Sequence, residues 1–170
     1  MLSKLETIGR SAWYWLALVG LGLFMEAVAL TYQYVLDYMP CVLCIHVRIW
    51  VLGFIVVALL ALLLRRSRPL LVTCHVLNTV IMAGLLERSW LLLGVERGTV
   101  EGSCEMESGL PDWFALDVWF PKLFKVWEPC GYTPELLFGI TMAEGLVLFS
   151  VAMVAVSVTL TVATLMGGKK

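Results

Sequence analysis

Two thiols three positions apart, Cys41 and Cys44, carry the densest chemistry in the chain, within the stretch Pro40-Cys41-Val42-Leu43-Cys44-Ile45-His46-Val47-Arg48. Two cysteines at that spacing can close a small, strained ring that is easier to reduce than a long-loop staple. Pro40 has no amide hydrogen and favours an extended chain before the motif, an arrangement expected to present Cys41 to a partner on the aqueous side. Cys44 stands where a long apolar run begins, so it is expected in the first turn of a helix, where unpaired N–H groups and the helix dipole favour a thiolate. Arg48 follows four positions later on the same helical face and adds a charge that does not titrate. These features describe a redox pair at a membrane boundary, with Cys41 towards water and Cys44 towards lipid.

Three more cysteines follow, Cys74, Cys104 and Cys130. Cys74 lies inside an apolar run and reads as a small buried residue without chemistry. Cys104 and Cys130 bound a long polar segment. A bridge between them would stabilise the folded segment by about 3.5 kcal/mol in the chain-entropy model, and it reads either as a structural staple or, because it would be exposed, as an exchangeable disulfide. A zinc site is disfavoured, since the second pair lacks the short spacing of a metal knuckle and an oxidising exterior works against free thiolate ligands.

The elements that must hold these residues are membrane helices. Of 170 residues, 61% are hydrophobic and only 15% charged, too apolar for a soluble domain of this length. Twelve basic and 13 acidic residues nearly cancel, and no basic run with interleaved aromatics is present, which argues against nucleic-acid binding. Four apolar stretches, 13–36, 45–64, 70–93 and 136–166, are long enough to span a bilayer, and none alternates as a strand would. A single four-helix membrane domain is expected, with the first span retained as an uncleaved anchor because its run outlasts a signal core and continues into an aromatic belt. Lys4 and Arg10, Arg65-Arg66-Ser67-Arg68, and Lys169-Lys170 assign both termini and the second connection to the cytoplasm. Loops 37–44 and 95–135 then lie outside, together with four of the five cysteines. Within the longer loop, the aromatic stretch from Pro111 to Phe124 is too short to span and is expected to form a helix lying in the headgroup plane.

Polar residues within the spans are costly in lipid and are expected to face the bundle interior. They are Glu26, His75, Asn78 and Glu144; Glu26, Glu87, Arg88 and Glu144 fall in the outer halves of their helices, towards the level of Cys44 and Arg48. An ion pair with an arginine is the plain account of Glu26. His46 reads equally as an interfacial residue or a proton donor, and Gln33 and Tyr34 as pocket or belt residues.

Taken together, these residues closely resemble the bacterial disulfide bond formation protein B (DsbB) family. The resemblance is carried by Glu26-x-x-Ala29-Leu30-x-x-Gln33, Pro40-Cys41-Val42-Leu43-Cys44-Ile45-x-x-Arg48, Cys104, Pro111-x-Trp113-x-x-Leu116-Asp117-x-Trp119-x-Pro121-x-x-Phe124, Cys130 and Leu137-Phe138-Gly139-x-x-Met142. It covers nearly the whole chain, with no family signature from 73 to 102. It implies a four-helix bundle in the bacterial inner membrane, its active cysteines periplasmic, that reoxidises a soluble DsbA-type thiol oxidase and passes two electrons to a membrane quinone, ubiquinone or menaquinone. A loop disulfide Cys104–Cys130 would be attacked by the partner, with Cys104 forming the mixed disulfide. Electrons would pass to Cys41–Cys44, and Cys44 would deliver them through a thiolate–quinone charge-transfer complex. The resemblance further assigns Arg48, Glu26 and Met142, with Cys44, to the quinone site.

Two other functions fit parts of the pattern. A vitamin K epoxide reductase-like protein is also a four-helix bundle with a CxxC pair, but commonly in a different cysteine order. A non-catalytic membrane protein stapled by two bridges leaves Pro40 and Arg48 without a purpose.

Overall fold

The computed structural model describes residues 2–101, 107–137 and 139–167. In chain order its elements are α1 (Leu2–Arg10), α2 (Ala12–Tyr34), α3 (Val42–Leu64), α4 (Arg68–Glu96), a 3-10 turn (Asp112–Phe114), α5 (Leu116–Trp119), α6 (Pro121–Phe124), a hairpin of β1 (Glu135–Leu137) and β2 (Ile140–Thr141), and α7 (Met142–Met166). Among the described residues, α2, α3, α4 and α7 are long and apolar enough to cross a membrane, so the protein is an all-α membrane bundle with a small loop region outside it.

Local chemistry sets the helix limits. Ser11 caps α2, its side chain accepting from the Trp13 amide at 3.3 Å, and so breaks α1 from the first span. Cys41 caps α3, which begins at Val42, one turn earlier than the apolar run suggests. The fourth span was expected from 136, but Gly139 turns with φ of 76° and the flanking residues pair as the antiparallel β1–β2 hairpin. Helix α7 starts only after Thr141, through a reciprocal box in which Thr141 Oγ1 accepts from the Glu144 amide at 3.3 Å and the Thr141 amide donates to Glu144 Oε2 at 3.2 Å. The aromatic stretch 111–124 is helical as expected, but in three short turns rather than one rod, interrupted by Ala115, with φ of −78° and ψ of 69°, and by Phe120, whose φ of −131° and ψ of 63° precede Pro121.

The membrane core centres on Trp15, Phe54, Leu71, Met82 and Leu85, all fully buried, while Leu63, Phe24 and Leu148 point outward to where lipid would lie. Helix α7 packs on α4 through a polar seam. Asn78 Nδ2 donates to Ser157 Oγ at 2.8 Å, Thr79 and Thr161 hydroxyls meet at 2.9 Å, and Ser89 and Ser150 at 3.5 Å. Such bonds between membrane helices contribute about 0.6 to 2 kcal/mol each. His75 and Asn78 thus face the interior, as their cost in lipid demands. His75 and Trp15 both engage the Gly9 carbonyl, at 3.2 and 2.9 Å, and tie α1 to the bundle. Cys74 is buried in the same apolar core.

Helices α2 and α3 approach closely at Gly22, where an added Cβ would lie 2.5 Å from Ile55 Cγ1. Overpacking of this kind costs about 1 to 3 kcal/mol. Gly22→Ala is therefore expected to lower the melting temperature in detergent; an unchanged melt would show that the two helices are not held at this distance.

Candidate active site

The bundle end that carries the CxxC motif is built around the first two turns of α3. Because Cys41 is the cap residue, the orphan amide of Cys44 points at Cys41 Sγ at 3.4 Å, and the two sulfurs lie 2.8 Å apart, unbridged. The free helix N–H group expected to serve Cys44 is therefore directed at Cys41. The expectation that Cys41 faces water is also not met: it is 3% exposed. The reason is the segment 125–131, which folds over it. The Trp127 amide donates to the Pro40 carbonyl at 3.1 Å, and the Cys130 thiol reaches the Cys41 thiol and the backbone of Val42 and Leu43.

These contacts set the acidity of the outer thiols. The hydrogen bond with Cys130 favours the Cys41 anion, but the bond with Cys44, burial and the nearness of Cys44 together outweigh it, and Cys41 is pushed up to about 12. The bond with Cys41 and burial push Cys130 upward as well. In the dithiol state both are neutral at neutral pH.

Cys44 turns the other way, into a cavity of about 550 Å³ between α2, α3 and the start of α7. Its wall is mainly apolar, with Met25, Val47, Val51, Leu146 and Phe149 among its residues. Glu26, Arg48 and Met142 line it, so the structure brings these three to Cys44. Arg48 is 6% exposed and is held on several sides: Nη1 donates to Gln33 Oε1 at 2.9 Å and to the Leu123 carbonyl at 2.5 Å, and Nε lies 3.6 Å from Glu26 Oε2. Gln33 Nε2 and the Tyr34 hydroxyl both donate to the neighbouring Lys122 carbonyl. The exposed carbonyls of the short helix α6 thus dock the aromatic loop onto α2 and α3.

Two buried polar atoms on this wall, Arg48 Nε and Glu26 Oε1, have no hydrogen-bond partner among the described residues. An apolar cavity with a leftover cationic donor beside a thiol fits a flat, largely apolar ring bearing carbonyl oxygens, as a quinone is. Glu144 belongs elsewhere: it caps α7 and accepts from Arg97 Nη2 at 2.7 Å. Glu87 pairs with its neighbour Arg88 at 3.0 Å on the surface. His46 Nε2 donates to the Ser108 carbonyl at 2.8 Å, and Ser108 Oγ donates to Asp117. Cys104 lies outside the described residues. Tyr32, Tyr38, Glu128 and Tyr132 also line the cavity. Sequence reasoning placed Tyr32 only in the aromatic belt that ends the first span and did not single out Tyr38, Glu128 or Tyr132, because loop tyrosines and glutamates carry no spacing signal of their own.

A family model described as "Disulfide bond formation protein DsbB" matches residues 11–160. The chain is 34% identical over 163 residues to disulfide bond formation protein B of Shewanella loihica, covering 95% of this chain and 94% of the relative. It is 33% identical over 132 residues to disulfide bond formation protein B 2 of Pseudomonas aeruginosa, covering 76% and 78%. With disulfide bond formation protein B of Haemophilus influenzae the identity is 29% over 169 residues, covering 94% and 92%.

The raised pKa of Cys41 gives a pH prediction with a definite sign. A thiol that ionises later in the folded protein than in the unfolded chain adds stability below the ordinary thiol range, and that stability is lost as pH climbs towards 12. The melting temperature of the fully reduced protein is expected to fall over that window, and less steeply in Cys41→Ser. Equal slopes in the two proteins would contradict the buried, thiol-flanked placement of Cys41.

Proposed function

The chain belongs to the DsbB family of quinone-linked thiol oxidoreductases, multi-pass proteins of the inner membrane, and from that premise we propose that it reoxidises a periplasmic DsbA-type thiol oxidase and passes two electrons to a membrane quinone. The observation that carries the reading is the order of contacts: Cys130 touches Cys41, Cys41 touches Cys44, and Cys44 opens on the cavity lined by Arg48. The clustering of Lys4, Arg10, Arg65, Arg66 and Arg68 on the opposite connections supports periplasmic cysteines and cytoplasmic termini.

In the resting protein Cys104 would be bridged to Cys130 and Cys41 to Cys44. A thiolate of the partner attacks Cys104, forming a mixed disulfide and releasing Cys130 as a thiolate. Cys130 attacks Cys41, so the Cys41–Cys130 bond forms, the Cys41–Cys44 bond breaks, and the electron pair comes to rest on Cys44. The fixed charge of Arg48 favours this departure of Cys44 as an anion. The partner's second thiol then attacks its own mixed-disulfide sulfur and leaves oxidised, releasing Cys104, which attacks Cys130 to restore the loop bridge and free Cys41. The partner has lost two electrons and two protons, and Cys41 and Cys44 hold the electrons. A bound quinone supplies the oxidant that takes up two electrons and two protons as the Cys41–Cys44 bond is remade. Cys44 and Arg48, with Glu26 and Met142 beside them, would hold its ring: the unpartnered Arg48 Nε would be free to donate to it, Glu26 would keep the guanidinium oriented, and Met142 would pack as an adaptable apolar wall.

The test is a purified protein given reduced partner oxidase and a soluble quinone analogue, followed by quinone absorbance. Partner-dependent quinone reduction is expected in the wild type and none in Cys44→Ser. Arg48→Lys, checked for intact fold, is expected to weaken the apparent quinone affinity about 10- to 100-fold, the range for a lost hydrogen bond to a charged group. No reduction by the wild type would overturn the function, turnover by Cys44→Ser would overturn its place as electron donor, and unchanged affinity in Arg48→Lys would remove Arg48 from the quinone site.

A further inference from the structure

The residues from Glu128 to Pro134 form no helix or strand, so no backbone ladder fixes Cys130 in place. Yet Cys130 reaches Cys41, and exchange requires the attacking sulfur to be held close and in line. Its thiol meets the backbone of Val42 and Leu43 directly, and the chain that carries it is held by a few contacts on either side, among them Thr133 Oγ1 donating to Glu96 Oε2 at 2.6 Å.

On the upstream side, the Trp127 amide donates to the Pro40 carbonyl at 3.1 Å, one residue before Cys41. On the downstream side, Tyr132 stacks on Tyr38, three residues before Cys41, with ring centroids 6.2 Å apart and planes inclined by 27°. Tyr38 is itself anchored: its ring meets Tyr32 of α2 at 5.9 Å, and its amide donates to the Tyr32 carbonyl at 3.0 Å. The Tyr32 hydroxyl in turn donates to the Glu135 carbonyl at 3.0 Å, beyond Tyr132. Two backbone reversals make this possible. Asp37, with φ of 57°, brings Tyr38 back beside the end of α2, and Gly131, with φ of 148°, turns the chain between Cys130 and Tyr132.

We propose that Tyr38 and Tyr132 form an aromatic clasp, anchored by Tyr32, that positions Cys130 for exchange with Cys41. The clasp and the Trp127–Pro40 bond bracket Cys130 from both sides, and both grip the short stretch immediately before Cys41. Tyr132 is 67% exposed and Tyr38 is 40% exposed, so the pair adds little to the core. Its effect is on the encounter of two sulfurs carried by separate loops. The clasp's role in turnover rests on the thiol-to-quinone function proposed above; its effect on the two sulfurs does not.

The deciding experiment uses the full chain carrying Cys44→Ser and Cys104→Ser, reduced and then exposed to a mild thiol oxidant, with formation of the Cys41–Cys130 bridge followed by gel mobility. Tyr132→Ala and Tyr38→Ala are expected to slow bridge formation by about two- to tenfold, the range set by the ordinary strength of an aromatic pair. Tyr132→Phe, which keeps the ring but loses the hydroxyl contact with Tyr38, is expected to restore most of the rate. In a Cys130→Ser background, oxidation of Cys41 with Cys44 is expected to be indifferent to Tyr132→Ala, which separates positioning of Cys130 from a general loosening of the fold. Bridge formation at the unmodified rate in both alanine variants would overturn the clasp, as would a Tyr132→Phe variant as slow as Tyr132→Ala. In the otherwise native chain, Tyr132→Ala is expected to lower turnover with reduced partner and quinone. A wild type that reduces no quinone would overturn the proposed function, while the bridging rates still decide the clasp.

Discussion

A guanidinium buried at the edge of a membrane bundle must be surrounded by acceptors, because leaving it unpaired costs several kcal/mol. Arg48 finds its acceptors on separate elements: Glu26 and Gln33 on α2, and the Leu123 carbonyl at the end of α6. That single requirement fastens the aromatic loop to the bundle, since Gln33 and Tyr34 add their own bonds to the adjoining Lys122 carbonyl. It also fixes a positive charge on the wall of the cavity that Cys44 enters. The docking of the loop and the electrostatics of the inner sulfur are therefore one constraint, and a change at Arg48 touches both.

The cysteines differ along the path in a way that favours inward flow. In the dithiol state Cys130 is held well above the usual thiol range by its bond with Cys41 and by burial. The sulfur it displaces in the proposed relay, Cys44, leaves beside a fixed cation. A cation beside the inner sulfur and, among the described residues, none beside the outer ones is the asymmetry that the proposed inward exchange would use.

Much of this was legible in the sequence, and the reasons for the rest are specific. Spans of about 20 apolar residues, a polar group that must face inward, and a CxxC pair at a helix start are local signals. That Glu26 pairs with an arginine followed from cost alone; that the arginine is Arg48 did not. The burial of Cys41 did not, because it is decided by a segment more than 80 positions away folding over it. The start of α7 was misplaced because Leu136 and Leu137 continue the apolar run, and only Gly139 and the Thr141–Glu144 box mark the true beginning. The Lys122 and Leu123 carbonyls that receive Gln33, Tyr34 and Arg48 were invisible for a more basic reason: a backbone acceptor has no residue type. Tyr38 and Tyr132 were overlooked because their pairing comes from loop geometry, which spacing along the chain does not encode.

The covering of Cys41 has a further physical consequence. A disulfide next to an oxidising cavity would be open to any small thiol that reached it, and electrons from unselected donors would then drain into the membrane. Exchange needs a thiolate in line with the sulfur–sulfur bond, and a sulfur 3% exposed beneath its own loop offers no such approach from water. The neighbour that does reach Cys41 is Cys130, and Cys130 is presented by the same segment that forms the cover. Shielding of Cys41 and presentation of Cys130 thus come from one piece of chain, and under the proposed relay a donor from outside would enter through the loop cysteines.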